Sequence, residues 1–332
     1  MTTMHCVICG FLIVEPKLAW HLPRFVRCPH CTGYVTEEEG DVAYPQEYFT
    51  ETAECPQKKS IFSPLLDFCL WMRFWKIRKI VTDTPFNSPS HSHHPASRTR
   101  HPSSGRRGWG EGTSHILDYG CGNGKLVEYL RKKGFDAEGY DPEPSAVSLA
   151  QRQGLPVFNA IPARQYALVM LWHCLEHSDT PLQDIVTLKS HIAPNGRLLI
   201  AVPNGDSFEA RLFGESFFCY DWPYHRVHFT PKALAVLLEK TGFRVLSVDH
   251  FNPEYTVSSL TQTFLNLFLP KNALYSVVSE RRKKYGAFTL LATTAVSSVM
   301  LVLFSPVLIL FFLFALYMRK TAAFVVVAAK IL

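Results

Sequence analysis

The 332-residue chain is 47% hydrophobic and carries a net charge of +6, from 34 Lys and Arg residues against 28 Asp and Glu residues. This hydrophobic content is high for a soluble protein and indicates that some apolar residues face lipid. The positive charge is clustered at Arg281 to Lys284 and at Arg319-Lys320, which flank the most hydrophobic stretch. The clustering favours an anionic membrane surface over nucleic acid as the basic partner, and no nucleic-acid partner is expected.

The cysteines are expected to be cytosolic thiols or metal ligands rather than disulfides. The opening Met-Thr-Thr-Met-His-Cys lacks a basic region followed by an apolar core, so we expect no secretory signal. Cys6-x2-Cys9 and Cys28-x2-Cys31 are separated by 18 residues, a spacing typical of a four-cysteine zinc ribbon. We predict a structural Zn²⁺ bound by these four cysteines, with no open position for catalysis. Unligated cysteines are the alternative.

Two segments follow the cysteine pairs. Residues 61–82 predict a helix that opens at Ser63 and Pro64, is rich in aromatic residues and becomes basic in its second half. It could pack over a cleft of the next domain or lie in a membrane interface. Residues 85–113 are rich in Pro, Ser, His, Arg and Gly, which predicts a disordered linker. Its histidines could bind stray metal: His91, His93, His94 and His101.

A glycine-rich turn follows the linker. His115 to Tyr119 predicts a buried strand, and a helix with Leu126, Val127 and Leu130 on its apolar face follows the turn. Three glycines in five residues, Gly120, Gly122 and Gly124, allow a ligand to approach the backbone closely. The spacing is G-x-G-x-G with Asp118 two residues before it, rather than the G-x-G-x-x-G of dinucleotide-binding folds.

The D-x-G-x-G-x-G pattern resembles the first motif of class I S-adenosylmethionine-dependent methyltransferases. A second predicted strand ends at Asp141, 17 residues after Gly124, and agrees with this resemblance. The resemblance implies that the loop wraps the amino-acid end of S-adenosylmethionine, with Asp118 close to it and Asp141 on the ribose hydroxyls. The cofactor-binding residues predicted in this way are Asp118, Gly120, Cys121, Gly122, Asn123, Gly124, Asp141, Pro142, Asn159 and Leu171.

Strands and helices alternate through the rest of the core. Predicted strands end near Phe158, Trp172, Asn204 and His250, and the run from Gln165 to Trp172 is apolar throughout, as expected of a central parallel strand. The alternation predicts an α/β fold with a doubly wound parallel sheet. Residues 321–332 resemble the seventh strand of this family, which inserts antiparallel beside the sixth and completes a seven-stranded Rossmann-like sheet.

The candidate catalytic residues follow the fourth strand, at the end of the sheet where ligands bind in open α/β folds. Trp172 to His177 resembles the corresponding motif of small-molecule methyltransferases, including quinone O-methyltransferases. Some of those proteins bind a divalent ion there, but His173 stands where they have an acid. We predict His173, and secondarily His177, as a general base, with Glu176 orienting an imidazole or capping the next helix. His225, in a cluster after the fifth strand, is a further candidate base.

These observations predict methyl transfer to a small or lipid-linked acceptor, with a hydroxyl oxygen as the expected acceptor atom. Two other functions are compatible with the pattern: a Rossmann-type oxidoreductase that uses NAD, and a non-catalytic scaffold in which the zinc ribbon binds a protein partner. The intact Asp118, Gly120, Gly122 and Asp141 argue against a vestigial cofactor site.

The hydrophobic tail, residues 287–318, is long enough to cross a bilayer. A single crossing would separate the seventh strand from its sheet, and Pro306 can break the run into two short arms. We therefore predict a re-entrant or interfacial hairpin on the cytoplasmic side of a membrane. A true span and a soluble helical cap or dimer interface are the alternatives. The predicted units are a zinc ribbon (1–50), a connector with an amphipathic helix (51–84), a disordered linker (85–113), a methyltransferase core (114–255), a membrane-associated insertion (256–320) and the last strand (321–332).

Overall fold

The computed structural model describes residues 3–36, 63–82, 115–278 and 287–331. The predicted linker with its four histidines, residues 51–62 of the predicted connector and the basic cluster at 281–284 lie outside these ranges. The strands are β1 (Thr3–His5), β2 (Leu12–Val14), β3 (Leu18–Ala19), β4 (Leu22–Arg27), β5 (Tyr34–Val35), β6 (His115–Tyr119), β7 (Asp136–Tyr140), β8 (Val157–Phe158), β9 (Tyr166–Trp172), β10 (Ile192–Pro203), β11 (Val227–His228), β12 (Phe243–Asp249) and β13 (Ala323–Lys330).

The helices alternate with the strands of the main sheet, as the sequence predicts. They are α1 (Ser63–Thr82), α2 (Lys125–Lys132), α3 (Pro144–Arg152), α4 (Pro181–His191), α5 (Phe208–Phe213), α6 (Pro231–Lys240), α7 (Pro253–Leu265), α8 (Ala273–Val278) and α9 (Ala287–Tyr317), with 3₁₀ turns at Leu175–His177 and Gly214–Ser216. α6 illustrates the local signals: the Thr230 hydroxyl accepts a hydrogen bond from the Ala233 amide, and Pro231 occupies the first turn.

The main sheet has seven strands in the order β12-β13-β10-β9-β6-β7-β8. β6, β7, β8, β9 and β10 pair in parallel, which confirms the doubly wound parallel arrangement. Alternate residues of β9 enter different apolar clusters, with Val169 in one and Met170 in the other. Because both faces of the strand are covered, its continuous apolar run is fully buried.

β13 lies between β10 and β12 and pairs antiparallel with both. The prediction of an antiparallel last strand beside the sixth is therefore confirmed. Its side chains from Ala323 to Val326 are buried, so the strand is apolar on both faces. The chain leaves the sheet at the end of β12, forms α7, α8 and α9, and returns through β13.

α1 packs over the α/β core, as in the first of the two alternatives for this segment. Ile77 is fully buried, and the Phe74 ring lies 6.1 Å from the Tyr129 ring of α2. A row of aromatic side chains on another part of the helix is exposed: Phe68, Trp71 and Trp75.

The tail forms one continuous helix, α9, and Pro306 lies inside it. The predicted break into two arms at Pro306 is therefore wrong. Proline removes the amide that would bind the Val302 carbonyl, but the Ser305 hydroxyl donates to that same carbonyl at 3.0 Å. This side-chain bond satisfies the carbonyl, so the helix continues past the proline. Among the described residues, α9 contains the segment long and apolar enough to cross a membrane, Leu291–Tyr317.

Candidate cofactor and acceptor site

The glycine turn lies at the carboxyl end of β6, and its glycines adopt conformations that L side chains rarely take. Gly120 has a φ of 76°, and a Cβ at this position would lie 2.5 Å from Cys174 Cβ. Gly122 has a φ of 55°, and a Cβ added there would meet no atom within 4 Å, so the backbone at this point faces open space. The turn therefore contacts the segment after β9 on one side and leaves room for a ligand on the other.

Asp141 ties the end of β7 to the same turn. Its carboxylate accepts a hydrogen bond from the Gly122 amide at 2.7 Å and another from the Glu143 amide at 3.0 Å. The side chain is almost fully buried, and burial raises its pKa although both backbone bonds oppose that shift. Each carboxylate oxygen has further acceptor capacity for ligand hydroxyls.

Asp118 is buried within β6, next to the turn. Burial raises the pKa of its carboxyl to about 7; the positive charge of Arg73 opposes this shift and the negative charge of Asp141 adds to it. A cationic ligand group beside Asp118 would favour the ionised form. The open turn and this buried acid fit the amino-acid end of S-adenosylmethionine, which carries an ammonium and a sulfonium.

The other predicted cofactor-binding residues differ in how exposed they are. Cys121 and Asn123 are partly exposed within the turn, and Pro142 and Asn159 are exposed just after β7 and β8. Leu171 is fully buried in the sheet, one residue before the end of β9. Its side chain belongs to the apolar core, and its strand pairs with β6 on one side and β10 on the other at this position.

His173 occupies a strained position immediately after β9. Its φ is 54°, which is uncommon for a residue with a side chain. The imidazole stacks on Tyr255 with 3.8 Å between ring centroids, and its Nδ1 lies 3.2 Å from Glu176 Oε1. Among the described residues, Nε2 is buried without a protein partner. Burial and the positive charge of Arg73 together lower the pKa of His173 to about 3, and the charge of Glu254 opposes this shift.

Glu176 contacts an imidazole: its Oε1 lies 3.2 Å from His173 Nδ1, whereas α4 begins at Thr180. Within the described ranges, Glu176 Oε2 is buried without a protein partner. Burial raises the pKa of Glu176, and His177 and His225 oppose that shift.

Glu176, His177 and His225 form a cluster whose ligand atoms all lie within 4.8 Å of one another. His177 Nδ1 is 3.0 Å from the Tyr224 carbonyl, and His225 Nδ1 is 2.7 Å from the Cys219 carbonyl. If each Nδ1 donates to its carbonyl, each Nε2 is the acceptor nitrogen. Burial lowers the pKa of His177 to about 4 and also lowers that of His225. Two neutral imidazoles and a carboxylate could hold a divalent ion here.

Two functional candidates were missed in the sequence. Arg73 of α1 bonds Glu254 at 2.9 Å and lies 5.0 Å above the Trp172 ring, so it enters the site from outside the core. Tyr255, on α7, stacks on His173. Neither residue belongs to a spacing motif, because each comes from a helix distant in sequence; the basic second half of α1 was the available signal for Arg73.

The four predicted zinc ligands, Cys6, Cys9, Cys28 and Cys31, come together and are all buried. The Cys6 and Cys31 sulfurs are 3.7 Å apart, as are those of Cys9 and Cys28. A tetrahedron with Zn–S bonds of about 2.3 Å has edges of about 3.8 Å, so the set fits zinc. Burial raises the pKa of Cys9 to about 11, and a bound cation would offset the cost of the thiolates.

Several known proteins resemble parts of this chain. Residues 90–248 match the family described as a methyltransferase domain. A ubiquinone biosynthesis O-methyltransferase of Rickettsia prowazekii is 33% identical over 111 residues, which cover 30% of this chain and 43% of that protein. The mitochondrial ubiquinone biosynthesis O-methyltransferase of Schizosaccharomyces pombe is 29% identical over 100 residues, covering 26% and 36% respectively. The chain thus spans less than half the length of these curated relatives.

Among solved structures, a SAM-dependent methyltransferase from Archaeoglobus fulgidus is 17% identical, with a TM-score of 0.40; the match covers 66% of this chain and 87% of that one. The family match covers just under half of the chain, so it and the relatives show that the core resembles methyltransferase domains. The seven-stranded, mostly parallel sheet is consistent with a Rossmann-like methyltransferase. Both curated relatives are O-methyltransferases of ubiquinone biosynthesis by name.

The fit of Gly120 against Cys174 yields a direct test of the cofactor loop. Gly120→Ala should lower the affinity for S-adenosylhomocysteine about a hundredfold, because its Cβ would overlap Cys174 and displace the turn. Gly154→Ala is the matched control: its φ of 73° imposes similar strain, but nothing lies within 4 Å of the added carbon. Isothermal titration of both variants measures the difference, and equal losses would contradict the assignment.

Proposed function

We propose that this protein transfers a methyl group from S-adenosylmethionine to a hydroxyl of a small or lipid-associated acceptor at a membrane surface. The observation that carries the proposal is the contact between the cofactor loop and the segment after β9. The Cys174 thiol donates to the Tyr119 carbonyl at 3.1 Å, so His173 lies one residue from this contact. When bound, S-adenosylmethionine supplies an electrophilic methyl group, and alignment of acceptor and methyl provides much of the rate.

His173 is the proposed general base. With the proton on Nδ1, the imidazole donates to Glu176 Oε1 and keeps the Nε2 lone pair available. Glu176 then holds the ring and would stabilise the imidazolium that forms when a proton is taken from the acceptor. The stack on Tyr255 limits rotation of the ring.

The low pKa of His173 limits which acceptor hydroxyls this residue can deprotonate. A base whose pKa is about 3 takes a proton best from an acidic hydroxyl. A phenol or an enol therefore suits this site better than an aliphatic alcohol. The names of the two curated relatives, both O-methyltransferases, support oxygen as the acceptor atom.

The exposed side of α9 supports the membrane part of the proposal. Val302, Leu303 and Leu310 are 74%, 69% and 67% exposed. An apolar surface of this kind is typical of a protein that contacts lipid. The cytoplasmic side of the membrane is the expected location, and Arg319, just after the end of α9, is suited to anionic headgroups. The neighbouring Lys320 pairs with Asp206 instead.

Contacts between α9 and the core favour an interfacial position over a full crossing. Phe314 stacks on Phe208 of α5 at 5.2 Å, and Phe304 lies 4.9 Å from Phe264 of α7. A crossing by this half of α9 would carry α5 and α7 into the bilayer. Residues 287–300, which precede these contacts, measure about 21 Å at about 1.5 Å per residue. This length is less than the hydrocarbon thickness of about 30 Å.

Metabolite profiling tests the activity. Cells that lack the gene should accumulate a species lighter than the product by one methylene. Purified protein should convert that species when methyl-labelled S-adenosylmethionine is added. Absence of any such species, with no label transferred to a cell extract, would contradict a methyltransferase function.

Once that acceptor is in hand, His173→Ala should cut turnover about a hundredfold without changing affinity for S-adenosylhomocysteine. Because the folded pKa of His173 lies below that of free histidine, the base stays neutral down to about pH 3. The acid limb of the wild-type turnover profile should therefore lie below about pH 5 rather than near 6.5. Unchanged turnover in the variant would remove His173 from the mechanism; His177→Ala is the companion variant for the second candidate base.

Vesicle flotation tests the membrane surface. Leu303→Glu with Leu310→Glu should weaken binding to phosphatidylglycerol vesicles by about tenfold or more, because both carboxylates would enter the apolar face. Val186→Glu with Leu246→Glu changes the charge equally at exposed apolar positions outside α9. Equal weakening by both pairs would contradict the proposed surface. A cysteine added after Leu332 and labelled from outside the cytoplasm would instead demonstrate a full crossing.

A further inference from the structure

The cysteine ribbon and the methyltransferase core share a β-sheet. β11, which follows the fifth strand of the core, pairs antiparallel with β5 of the ribbon, with Val227 opposite Val35 and His228 opposite Tyr34. The resulting sheet has the order β11-β5-β4-β3. A core strand is therefore the edge strand of the ribbon, so the two units share backbone hydrogen bonds as well as side-chain contacts.

The segment that contains β11 also borders the candidate acceptor site. We call Cys219–Thr230 the wall segment. Within it, the Arg226 amide donates to the Glu176 carbonyl at 2.8 Å, and the Tyr224 carbonyl lies 3.0 Å from His177 Nδ1. His225 itself belongs to the segment. The positions of the Glu176, His177 and His225 side chains therefore depend on the path of this segment.

Phe25 of β4 packs against three aromatic rings of the wall segment. Its side chain is fully buried, and its ring lies 4.6 Å from His228, 5.9 Å from Trp222 and 6.0 Å from Tyr220. All three contacts are edge-on, the arrangement that aromatic pairs prefer. Arg24 adds a cation–π contact, with its guanidinium 5.5 Å from the Trp222 ring centroid.

The metal-binding turn of the ribbon provides a second anchor. Thr32, next to Cys31, has its hydroxyl 2.9 Å from the Thr230 hydroxyl at the end of the wall segment. Lys240 of α6 donates to the carbonyl of Cys9. One contact point is Cys9 itself and the other is the residue after Cys31. A bound ion would therefore fix the position of both, including the Thr32 contact with the wall segment.

We propose that the metal-loaded ribbon positions the acceptor site, and that Phe25 is the positioning residue through which it acts. Phe25 holds the wall segment, and the wall segment holds His177 and His225. This inference rests on the proposed function, since it assigns the wall segment to the acceptor side. The cofactor loop is held separately: the Gly120 amide donates to the Tyr140 carbonyl, and Asp141 binds the Gly122 amide. Loss of the ribbon contact should therefore affect the acceptor side and spare cofactor binding.

The test compares Phe25→Ala with Phe11→Ala in the zinc-loaded full chain. Phe11 is also in the ribbon, but it is 42% exposed and stacks on His30. In Phe25→Ala, amide hydrogen exchange over residues 219–230 should accelerate about tenfold or more. Zinc content should stay unchanged, and the affinity for S-adenosylhomocysteine should stay within about twofold of wild type. Phe11→Ala should match wild type in all three measurements.

The possible results distinguish the positioning role of Phe25 from the proposed function. Unchanged exchange over 219–230 in Phe25→Ala, with S-adenosylhomocysteine bound normally, would overturn the positioning role while leaving the proposed function intact. Failure of the wild type to bind S-adenosylhomocysteine would count against the proposed function instead. If Phe25→Ala does not fold, Phe25→Leu keeps most of the apolar volume but loses the aromatic contacts. Accelerated exchange confined to 219–230 supports the proposal in that variant, and exchange that is unchanged or accelerated evenly over 115–278 overturns it.

Once the acceptor is identified, steady-state kinetics of the same variants provide a second measurement. Phe25→Ala should raise the KM for the acceptor about tenfold, with a smaller change in kcat, because it loosens the wall rather than removing a reacting group. Phe25→Leu should restore part of the affinity. An equal loss in kcat for Phe25→Ala and Phe11→Ala would show a general structural role and contradict the assignment.

Discussion

The close contact between Gly120 and Cys174 is the constraint on which the arrangement of the site depends. A side chain at position 120 would overlap Cys174, so only glycine allows the turn after β6 to meet the segment after β9. That contact brings the cofactor loop within one residue of His173. Parallel pairing of β6 and β9 in turn aligns the carboxyl ends of the two strands. The geometry of the candidate site thus follows from sheet register and one missing Cβ.

Burial gives the site its electrostatic character. The buried histidines have lowered pKa values and stay neutral at physiological pH, whereas the buried acids Asp118 and Glu176 have raised pKa values. Both shifts have the same cause, because a charge is poorly solvated inside the protein. A neutral imidazole keeps a nitrogen lone pair that can accept a proton. A carboxyl whose pKa is raised can become ionised when a cation binds beside it.

The sequence predicts the parts of this molecule that depend on local spacing. The glycine turn, the strand that ends at Asp141, the two cysteine pairs and the antiparallel last strand all carry such signals, and the structure contains each of them. The prediction for Pro306 was wrong because a neighbouring hydroxyl satisfies the carbonyl that proline leaves free. The pairing of β5 with β11 joins residues almost two hundred positions apart. Arg73 and Tyr255 likewise reach the site through tertiary packing, which no spacing pattern encodes.

The central claim is that the turn from Asp118 to Gly124 binds S-adenosylmethionine rather than a dinucleotide. Isothermal titration of the purified chain with S-adenosylhomocysteine and, separately, with NAD tests it most directly. The account predicts saturable one-to-one binding of S-adenosylhomocysteine and no binding of NAD at the same concentrations. Binding of NAD alone would identify an oxidoreductase. Absence of S-adenosylhomocysteine binding up to millimolar levels would contradict the claim and favour a non-catalytic scaffold.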